Sequence, residues 1–245
     1  MLKPFSAMIL AAGFGKRMLP LTEKIPKPLV KVNNISLLKN VIDFLFKIGC
    51  IKIIINTHYK HYLISDFINE FYYSSNILIS HEENILDTAG GVKNAISLFN
   101  DENVLVTNSD IFWKKENEED VIGLINDFNS KEECRLLLVE KEKSHGLINN
   151  VGDFSLKNNE VRRWKIGDRI LYYSGLQIVS LNIFKDFSSN KFSFNEVWDN
   201  QITKNSLHGN IMLSHWYHVG EIKGLKAAIN SGTLKQKFYT YNIVK

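Results

Sequence analysis

The chain has 245 residues, of which 44% are hydrophobic and 23% are charged, and this composition excludes disordered and fibrous proteins. Its 30 Lys and Arg and 26 Asp and Glu leave a net charge of +4, which is too small to predict a nucleic-acid partner. The apolar run at residues 7–12 is too short for a secretory leader or a membrane span, so we expect a cytoplasmic protein with no membrane partner.

Short apolar runs alternate with segments of helical periodicity in the first half of the chain, which is typical of a parallel sheet wound with helices. Strands are predicted at residues 8–12, 51–55, 77–79, 104–107 and 135–139. Helices are predicted after Ser36, which suits an N-cap, and at residues 64–72, 91–99 and 118–128. This alternation predicts one doubly wound αβα unit.

The second half changes character, because residues 146–180 form short apolar runs separated by turn dipeptides such as Asn158-Asn159. Helices recur at residues 194–204 and 223–231, and the tail 235–245 shows no pattern. We therefore predict an α/β fold, a three-layer αβα sandwich whose mainly parallel, doubly wound, Rossmann-like sheet carries a small antiparallel lobe. The whole chain, residues 1–245, is expected to form a single domain.

The two cysteines show no sign of a metal or disulfide role. Cys50 and Cys134 stand far apart in the sequence and belong to no C-x-x-C or Cys/His pattern. They are predicted to be reduced structural thiols.

The glycine-rich loop after the first strand is the most informative segment. Gly13 and Gly15 let backbone N–H groups approach a phosphate, as dinucleotide folds and nucleoside-triphosphate sites require. The dinucleotide fingerprint fails, because Met18 replaces its third small residue and Asn56 replaces the acid expected after the second strand. No Walker G-K-[ST] pattern follows, and three prolines between residues 20 and 28 are expected to keep the loop extended.

Cations dominate this loop and the residues that follow it. Against one acid, Glu23, stand five cations: Lys16, Arg17, Lys24, Lys27 and Lys31. An extended, cation-rich loop at the carboxyl edge of a parallel sheet suits a polyphosphate. A solvated basic loop is the alternative that charge alone leaves open.

The spacing of the loop residues resembles a family signature. The pattern Ala11-Ala12-Gly13-x-Gly15-x-Arg17-x-x-Pro20-x-Thr22-x-x-x-Pro26-Lys27-Pro28 is similar to that of the sugar-1-phosphate nucleotidyltransferases, or nucleotide-sugar pyrophosphorylases. Further matches follow in order at residues 82–91, 106–110, 152–154, 173–176 and 192–199. Within the family, the set is most similar to the N-acetylmuramate-1-phosphate uridylyltransferases.

The resemblance implies attack by a sugar-1-phosphate oxygen on the α-phosphorus of a nucleoside triphosphate, with release of pyrophosphate. The nucleophile is already an anion, so the reaction needs charge neutralisation and alignment rather than a general base. The implied catalytic residues are Arg17 at the leaving pyrophosphate, Lys27 at the α-phosphate and sugar phosphate, and Asp110 as a Mg²⁺ ligand. Simpler alternatives are a surface arginine, a turn lysine and an aspartate that caps the turn after its strand.

The resemblance also divides the chain into a nucleotide-binding part, about residues 7–140, and a sugar-binding part, about residues 141–232. The implied nucleotide-binding residues are Ala11, Ala12, Gly13, Gly15, Glu82, Thr88 and Gly90. The implied sugar-binding residues are Asn108, Asp153 and Gly175, which puts the antiparallel lobe on the substrate side. The small residues at 88–91 equally fit a tight helix start, and Gly152-Asp153 equally fits a turn.

One position departs from the family pattern, which places a second metal-binding aspartate in W-x-D-x-G-T. This chain has His218 at that aspartate's position, between Trp216 and Gly220. Imidazole is a poor Mg²⁺ ligand, so we expect Mg²⁺ to be held by Asp110 and phosphates. His218 becomes a second metal ligand if Mn²⁺ or another divalent metal is used.

The sharpest hypothesis is therefore Mg²⁺-dependent uridylyl transfer from UTP to N-acetylmuramate 1-phosphate, as in peptidoglycan recycling. Two alternatives stay open: a mannose-1-phosphate guanylyltransferase, and a nucleotide-sugar-binding regulatory protein without turnover, which His218 keeps in consideration. The expected partners are a nucleoside triphosphate and a sugar 1-phosphate, with the chain as a monomer or a small homo-oligomer.

Overall fold

The computed structural model describes residues 3–129, 132–147 and 149–231. Its strands are β1 (Phe5–Leu10), β2 (Lys31–Val32), β3 (Ile35–Ser36), β4 (Cys50–Thr57), β5 (Ile77–His81), β6 (Asn103–Asn108), β7 (Cys134–Glu140), β8 (Ser144–His145), β9 (Phe154–Lys157), β10 (Glu160–Arg163), β11 (Leu171–Ser180), β12 (Leu207–Ile211) and β13 (Trp216–Tyr217). Its α-helices are α1 (Leu37–Lys47), α2 (His61–Tyr72), α3 (Asp87–Asn94), α4 (Glu118–Asp127), α5 (Phe194–Thr203) and α6 (Ile222–Asn230). The tail 235–245 and residue 232, the end of the expected sugar-binding part, lie outside the described residues.

Nine strands of the described chain form one sheet in the order β5-β4-β1-β6-β11-β7-β12-β10-β9. The strands β5, β4, β1 and β6 are parallel, and β12 is parallel to β7. Strand β11 runs antiparallel between β6 and β7, and the hairpin of β9 and β10 is antiparallel at the sheet edge. The predicted α/β architecture is confirmed, and its antiparallel strands are continuous with the main sheet.

Helices cover both faces of the sheet, because the side chains of the buried strands point alternately to each face. In β1, Ala7 and Ile9 belong to the core that contains the apolar residues of α1, α2 and α4, whereas Met8 belongs to the core with α3 and α5. The Ser36 side chain accepts a hydrogen bond from the Lys39 N–H at 3.2 Å, which confirms the predicted N-cap of α1. Two cores separated by one sheet make the three layers.

Helix α3 begins four residues before its predicted start, at Asp87 rather than at residue 91. The sequence indicated a helix at residues 91–99 and a helix start at the small residues 88–91. Gly90 and Gly91 lie inside the observed helix, although glycine disfavours a helix interior. Packing overrides this preference. A Cβ on Gly90 would lie 2.4 Å from the Asn190 carbonyl oxygen, and a Cβ on Gly91 would lie 2.6 Å from Asn56 Nδ2.

The loop after β1 is not extended as its prolines predicted. Short 3-10 turns form at Lys16–Met18, Leu21–Glu23 and Lys27–Leu29. Met18 is fully buried in a third core, which joins the loop to residues of the C-terminal segment such as Val219 and Leu225. Burial of Met18 therefore folds the loop back onto the protein, against the local preference of the prolines.

Both cysteines are free and buried, which confirms their prediction as structural thiols. Burial raises the pKa of the Cys50 thiol to about 12 and also raises the pKa of the Cys134 thiol. In the part of the chain that the structure describes, no helix combines the length and the apolar character needed to cross a membrane.

Candidate active site

The carboxyl ends of β1, β4 and β6 meet at one edge of the sheet, and the loops that follow them enclose a cavity of about 440 Å³. The predicted site residues that line this cavity are Ala11, Ala12, Gly13, Gly15, Arg17, Lys27, Thr88, Asn108 and Asp110. The fold thus brings the glycine loop, the start of α3 and the end of β6 around one space.

The glycine loop approaches the Lys27 segment closely. Gly15 has a left-handed backbone with φ +67°, and a Cβ at this position would lie 3.0 Å from Lys27 Cβ and 3.0 Å from Thr22 Cγ2. The Thr22 hydroxyl donates a hydrogen bond to the Gly15 carbonyl at 2.9 Å. A Cβ on Gly13 would meet no atom within 4 Å, so the backbone there is open to the cavity. Gly15 shapes the loop, and Gly13 leaves room for a ligand.

Lys27 and Asp110 form the best-shielded ion pair in the cavity. Lys27 Nζ lies 2.6 Å from Asp110 Oδ2, and the two side chains are only 12% and 15% exposed. Burial by itself raises the pKa of the Asp110 carboxyl, but the nearby Lys27 ammonium and His218 ring outweigh burial and hold that pKa well below its usual range. Asp110 is therefore an anion at neutral pH.

His218 completes this group from the chain segment that pairs with Ile111, the residue after Asp110. Its Nε2 lies 3.3 Å from Asp110 Oδ2, although the two residues are 108 positions apart in the sequence. The ring is parallel to the Trp216 ring, with centroids 5.2 Å apart, and a Cβ on Gly220 would lie 2.3 Å from His218 Cε1. Stacking on Trp216 and close packing against Gly220 hold the His218 ring beside Asp110.

One oxygen of this cluster has no protein partner in the described structure. Asp110 Oδ1 is buried without a hydrogen bond, and so is His218 Nδ1. Within the described ranges, no group of three or more His, Cys, Asp or Glu side chains is arranged to hold a metal ion by itself. The free carboxylate oxygen suits a hard divalent cation that takes its remaining ligands from phosphate oxygens. The residues therefore fit Mg²⁺ with Asp110 as its protein ligand.

Arg17 lines the same cavity but is held loosely. Its Nη1 lies 3.7 Å from Glu221 Oε1, and the Arg17 side chain is 64% exposed. An exposed ion pair at this distance contributes little to stability. The guanidinium is therefore available to an anionic ligand.

Glu82 supports the cavity from behind. The Glu82 carboxylate is 2% exposed and accepts hydrogen bonds from Asn56 Nδ2 at 2.7 Å and from the Leu86 N–H at 2.9 Å. Asn56 in turn accepts a hydrogen bond from the Ala11 N–H at 2.7 Å and lines the cavity. Sequence reasoning missed Asn56, although a polar residue near the end of a β-branched strand was the available signal.

At the start of α3, Thr88 faces the cavity and Gly90 faces the segment before α5. Thr88 lines the cavity, and its hydroxyl accepts a hydrogen bond from the Phe194 N–H at 2.9 Å, which connects α3 to α5. The Gly90 N–H donates to the Phe192 carbonyl at 3.0 Å, so Gly90 faces the segment before α5. Gly90 therefore supports the cavity wall through packing.

A second cavity of about 570 Å³ adjoins the first and shares four lining residues with it, namely Leu10, Asp87, Thr88 and Asn108. It contains all three predicted sugar-binding residues. Gly175 has φ +85°, and a Cβ there would lie 3.1 Å from Asn108 Nδ2. Asp153 Oδ2 accepts the Tyr173 N–H at 2.9 Å, and partial burial raises the pKa of the Asp153 carboxyl. Sequence reasoning missed the arginine of this cavity, Arg163.

The sequence matches known proteins over most of its length. The family model described as nucleotidyl transferase matches residues 6–163. The N-acetylmuramate alpha-1-phosphate uridylyltransferase of Caulobacter vibrioides is 30% identical over 92% of this chain and 96% of its own length. The protein of the same name from Neisseria meningitidis is 31% identical over 91% of this chain and 96% of its own length.

Solved structures share the fold at lower identity. The crystal structure of HddC from Yersinia pseudotuberculosis superposes with a TM-score of 0.74 at 20% identity, over 93% of this chain and 99% of that one. The inositol-1-phosphate CTP transferase from T. maritima gives a TM-score of 0.76 at 13% identity, over 95% of this chain and 99% of that one. These likenesses establish the architecture.

Proposed function

This chain belongs to the nucleotidyl transferase family and is a sugar-1-phosphate nucleotidyltransferase, and from that premise we propose that it transfers a uridylyl group from UTP to N-acetylmuramate 1-phosphate. The observation that carries the proposal is the position of the Lys27, Asp110 and His218 cluster. Asp110 lines the glycine-loop cavity and His218 lines the adjoining cavity, so the cluster stands where the two meet. The nucleotide is assigned to the first cavity and the sugar to the second.

The expected division into a nucleotide-binding part and a sugar-binding part agrees with the lining of the first cavity but not with that of the second. The glycine-loop cavity is formed mainly by residues of the nucleotide-binding part, with Gly220 as an exception. The second cavity takes Thr88 and Asn108 from the nucleotide-binding part and Asp153 and Gly175 from the sugar-binding part. We therefore assign the sugar site to both parts of one domain.

In the proposed reaction, an oxygen of the sugar phosphate forms a bond to the α-phosphorus, and the bond from that phosphorus to the pyrophosphate oxygen breaks. The leaving pyrophosphate keeps the electron pair, and no proton has to be removed from the nucleophile. Lys27 neutralises the phosphates that meet beside Asp110, and Arg17 neutralises charge on the leaving pyrophosphate. Asp110 holds Lys27 in place at 2.6 Å and offers Oδ1 to the metal. Bound Mg²⁺ would supply further charge neutralisation on the triphosphate.

Guanylyl transfer is the second candidate, because guanylyltransferases are also among the relatives that match this chain. The mannose-1-phosphate guanylyltransferase catalytic subunit beta of Dictyostelium discoideum is 39% identical, but over only 43% of this chain and 30% of its own length. The two uridylyltransferases match over 96% of their own length, whereas the D-glycero-alpha-D-manno-heptose 1-phosphate guanylyltransferase of Campylobacter jejuni matches over 83% of its own length at 26% identity. This difference in coverage favours UTP.

Pyrophosphate release with a panel of substrates tests the proposal. UTP, GTP, CTP, dTTP and ATP are each combined with N-acetylmuramate 1-phosphate, N-acetylglucosamine 1-phosphate and mannose 1-phosphate. We expect the highest kcat/KM for UTP with N-acetylmuramate 1-phosphate. A clear preference for GTP with mannose 1-phosphate would replace the first proposal by the second. Nucleotide binding without turnover of any pair would instead indicate a regulatory protein.

A further inference from the structure

The second cavity contains a cation of its own, whereas the two cations assigned to the phosphates, Arg17 and Lys27, line the first cavity. Arg163, at the end of β10, lines the second cavity beside Asp153, Asn195 and Trp198. Among the described residues that line this cavity, it is the only arginine or lysine. A neutral sugar does not require a permanent positive charge, because carboxylates and amides bind hydroxyl groups well. The cation therefore points to an anionic group on the sugar.

The guanidinium is held in one orientation from two sides. Its Nε lies 2.7 Å from Asp199 Oδ1, and its Nη2 donates to the Asn195 carbonyl at 3.2 Å and to Asn195 Oδ1 at 3.0 Å. Its central carbon lies 4.8 Å from the centre of the Phe154 ring and 5.9 Å from that of the Trp198 ring. These contacts use Nε and Nη2 and stack one face of the group on aromatic rings.

The remaining nitrogen is free for a ligand. Arg163 Nη1 carries two N–H donors and has no hydrogen-bond partner in the described part of the chain. A donor that is already oriented loses little entropy when it binds a ligand. The two carboxylates among the described lining residues, Asp87 and Asp153, would repel an anion, so Arg163 is the lining side chain that would attract one.

We infer that Arg163 is a specificity-determining residue of the sugar cavity and binds a carboxylate carried by the sugar through Nη1. This inference rests on the proposed function, since a muramate sugar carries a carboxylate that the corresponding glucosamine sugar lacks. The substrate class is therefore a sugar 1-phosphate with a second anionic group on its ring. The alternative is that Arg163 only clamps the hairpin of β9 and β10 to α5.

Two substrates that differ only in the acid substituent separate these roles. N-acetylmuramate 1-phosphate and N-acetylglucosamine 1-phosphate are compared with UTP in the wild type, in Arg163→Gln and in the control Arg162→Gln. Arg162 neighbours Arg163 in sequence but pairs with Glu160 at 3.3 Å, and its side chain is 57% exposed. It is also not among the residues that line the sugar cavity.

We expect the wild type to prefer the acidic sugar by tenfold or more in kcat/KM, through KM. Arg163→Gln should reduce this preference at least tenfold, whereas Arg162→Gln should retain it. If Arg163→Gln does not fold, Arg163→Lys replaces it. This variant keeps the charge but loses the planar donor pair, so its preference for the acidic sugar should be lower than that of the wild type and of Arg162→Gln. Equal losses for both sugars would overturn the inference and leave Arg163 a structural clamp. Equal use of both sugars by the wild type would also overturn it, with the nucleotidyl transfer itself intact. Turnover of neither sugar would refute the proposed function and the inference together.

Discussion

At the scale of single residues, the centre of the candidate site is one carboxylate that two other side chains keep ionised. Asp110 lies within 2.6 Å of Lys27 Nζ and within 3.3 Å of His218 Nε2, and its second oxygen remains free. Because these neighbours outweigh the effect of burial on the pKa of Asp110, the carboxylate is ready to bind a cation without first losing a proton. Loss of either Lys27 or Asp110 leaves a buried charge without its partner.

Lys27→Ala is expected to lower kcat at least tenfold, because a preorganised donor removed from a transition state costs about 2 to 4 kcal/mol. Arg17→Ala should lower turnover similarly, since Arg17 faces the same cavity. Steady-state pyrophosphate release measures both effects. Lys24→Ala is the matched control, because Lys24 lies on the same loop, is exposed and is not among the residues that line the cavity. Wild-type turnover in both cavity variants would remove the catalytic assignment.

His218→Asp is expected to reduce the Mg²⁺ concentration needed for half-maximal activity. A second carboxylate offers a hard cation an anionic oxygen in place of an imidazole nitrogen. Titrations of pyrophosphate release with Mg²⁺, Mn²⁺ and Co²⁺ measure the change, and Asp110→Asn should abolish most activity with each metal. If the wild type instead works best with Mn²⁺ or Co²⁺ and the variant loses that preference, His218 is itself a ligand. Identical curves for wild type and His218→Asp would mean that residue 218 is remote from the metal.

At the scale of elements, α3 forms a helix through Gly90 and Gly91 because packing outweighs the low helix preference of glycine. Its glycines allow the helix to lie against the Asn190 backbone on one side and against Asn56 and Glu82 on the other. Since Asn56 also binds the Ala11 N–H, the position of α3 is connected to the shape of the glycine loop. The helix is therefore part of the site although only its first residues line a cavity.

Gly90→Ala is expected to destabilise the protein by about 1 to 3 kcal/mol, because the new methyl group would lie 2.4 Å from the backbone carbonyl oxygen of Asn190, which is closer than van der Waals contact allows. The matched control is Gly123→Ala in α4, where a Cβ would meet nothing within 4 Å. That substitution should stabilise by about 0.5 to 1 kcal/mol through its better helix preference. Urea unfolding compares the two variants. If Gly90→Ala keeps the wild-type midpoint but loses affinity for nucleotide, Gly90 contacts the ligand and does not serve packing.

At the scale of the whole molecule, the two cavities adjoin because β1 and β6 are neighbours and their loops open to the same edge of the sheet. Strand β11, inserted antiparallel beside β6, carries Gly175 to Asn108 and thereby joins the second half of the chain to the first. A ligand that fills both cavities therefore contacts residues from both halves.

A nucleotide sugar is expected to stabilise the protein more than the nucleoside diphosphate alone at equal concentration. A ligand at 100 times its dissociation constant stabilises by about 2.7 kcal/mol, and each tenfold gain in affinity adds about 1.4 kcal/mol. Thermal unfolding with UDP-N-acetylmuramate, UDP and ADP measures the difference, with ADP as the control for the base. Equal shifts for UDP and its sugar conjugate would indicate that the second cavity does not hold the sugar.

The sequence by itself determined the layered α/β fold, because apolar periodicity is a local property that each strand and helix carries. The sequence motif also singled out Gly15 and Lys27, which line the same cavity in the structure. The two residues are close in the sequence, so the loop between them limits how far apart they can lie. Their close approach, with a Cβ on Gly15 3.0 Å from Lys27 Cβ, is the kind of short-range contact that spacing constrains.

Only the tertiary structure decided which distant residues meet. The contact of His218 with Asp110 and the presence of Arg163 in the second cavity depend on how the second half of the chain packs against the first. The loop after β1 folds into turns because Met18 is buried against residues near the C-terminus, which no local pattern contains. Burial and charge pairing act across space, whereas sequence patterns report only neighbours along the chain, and this is why the chemistry of the site required the fold.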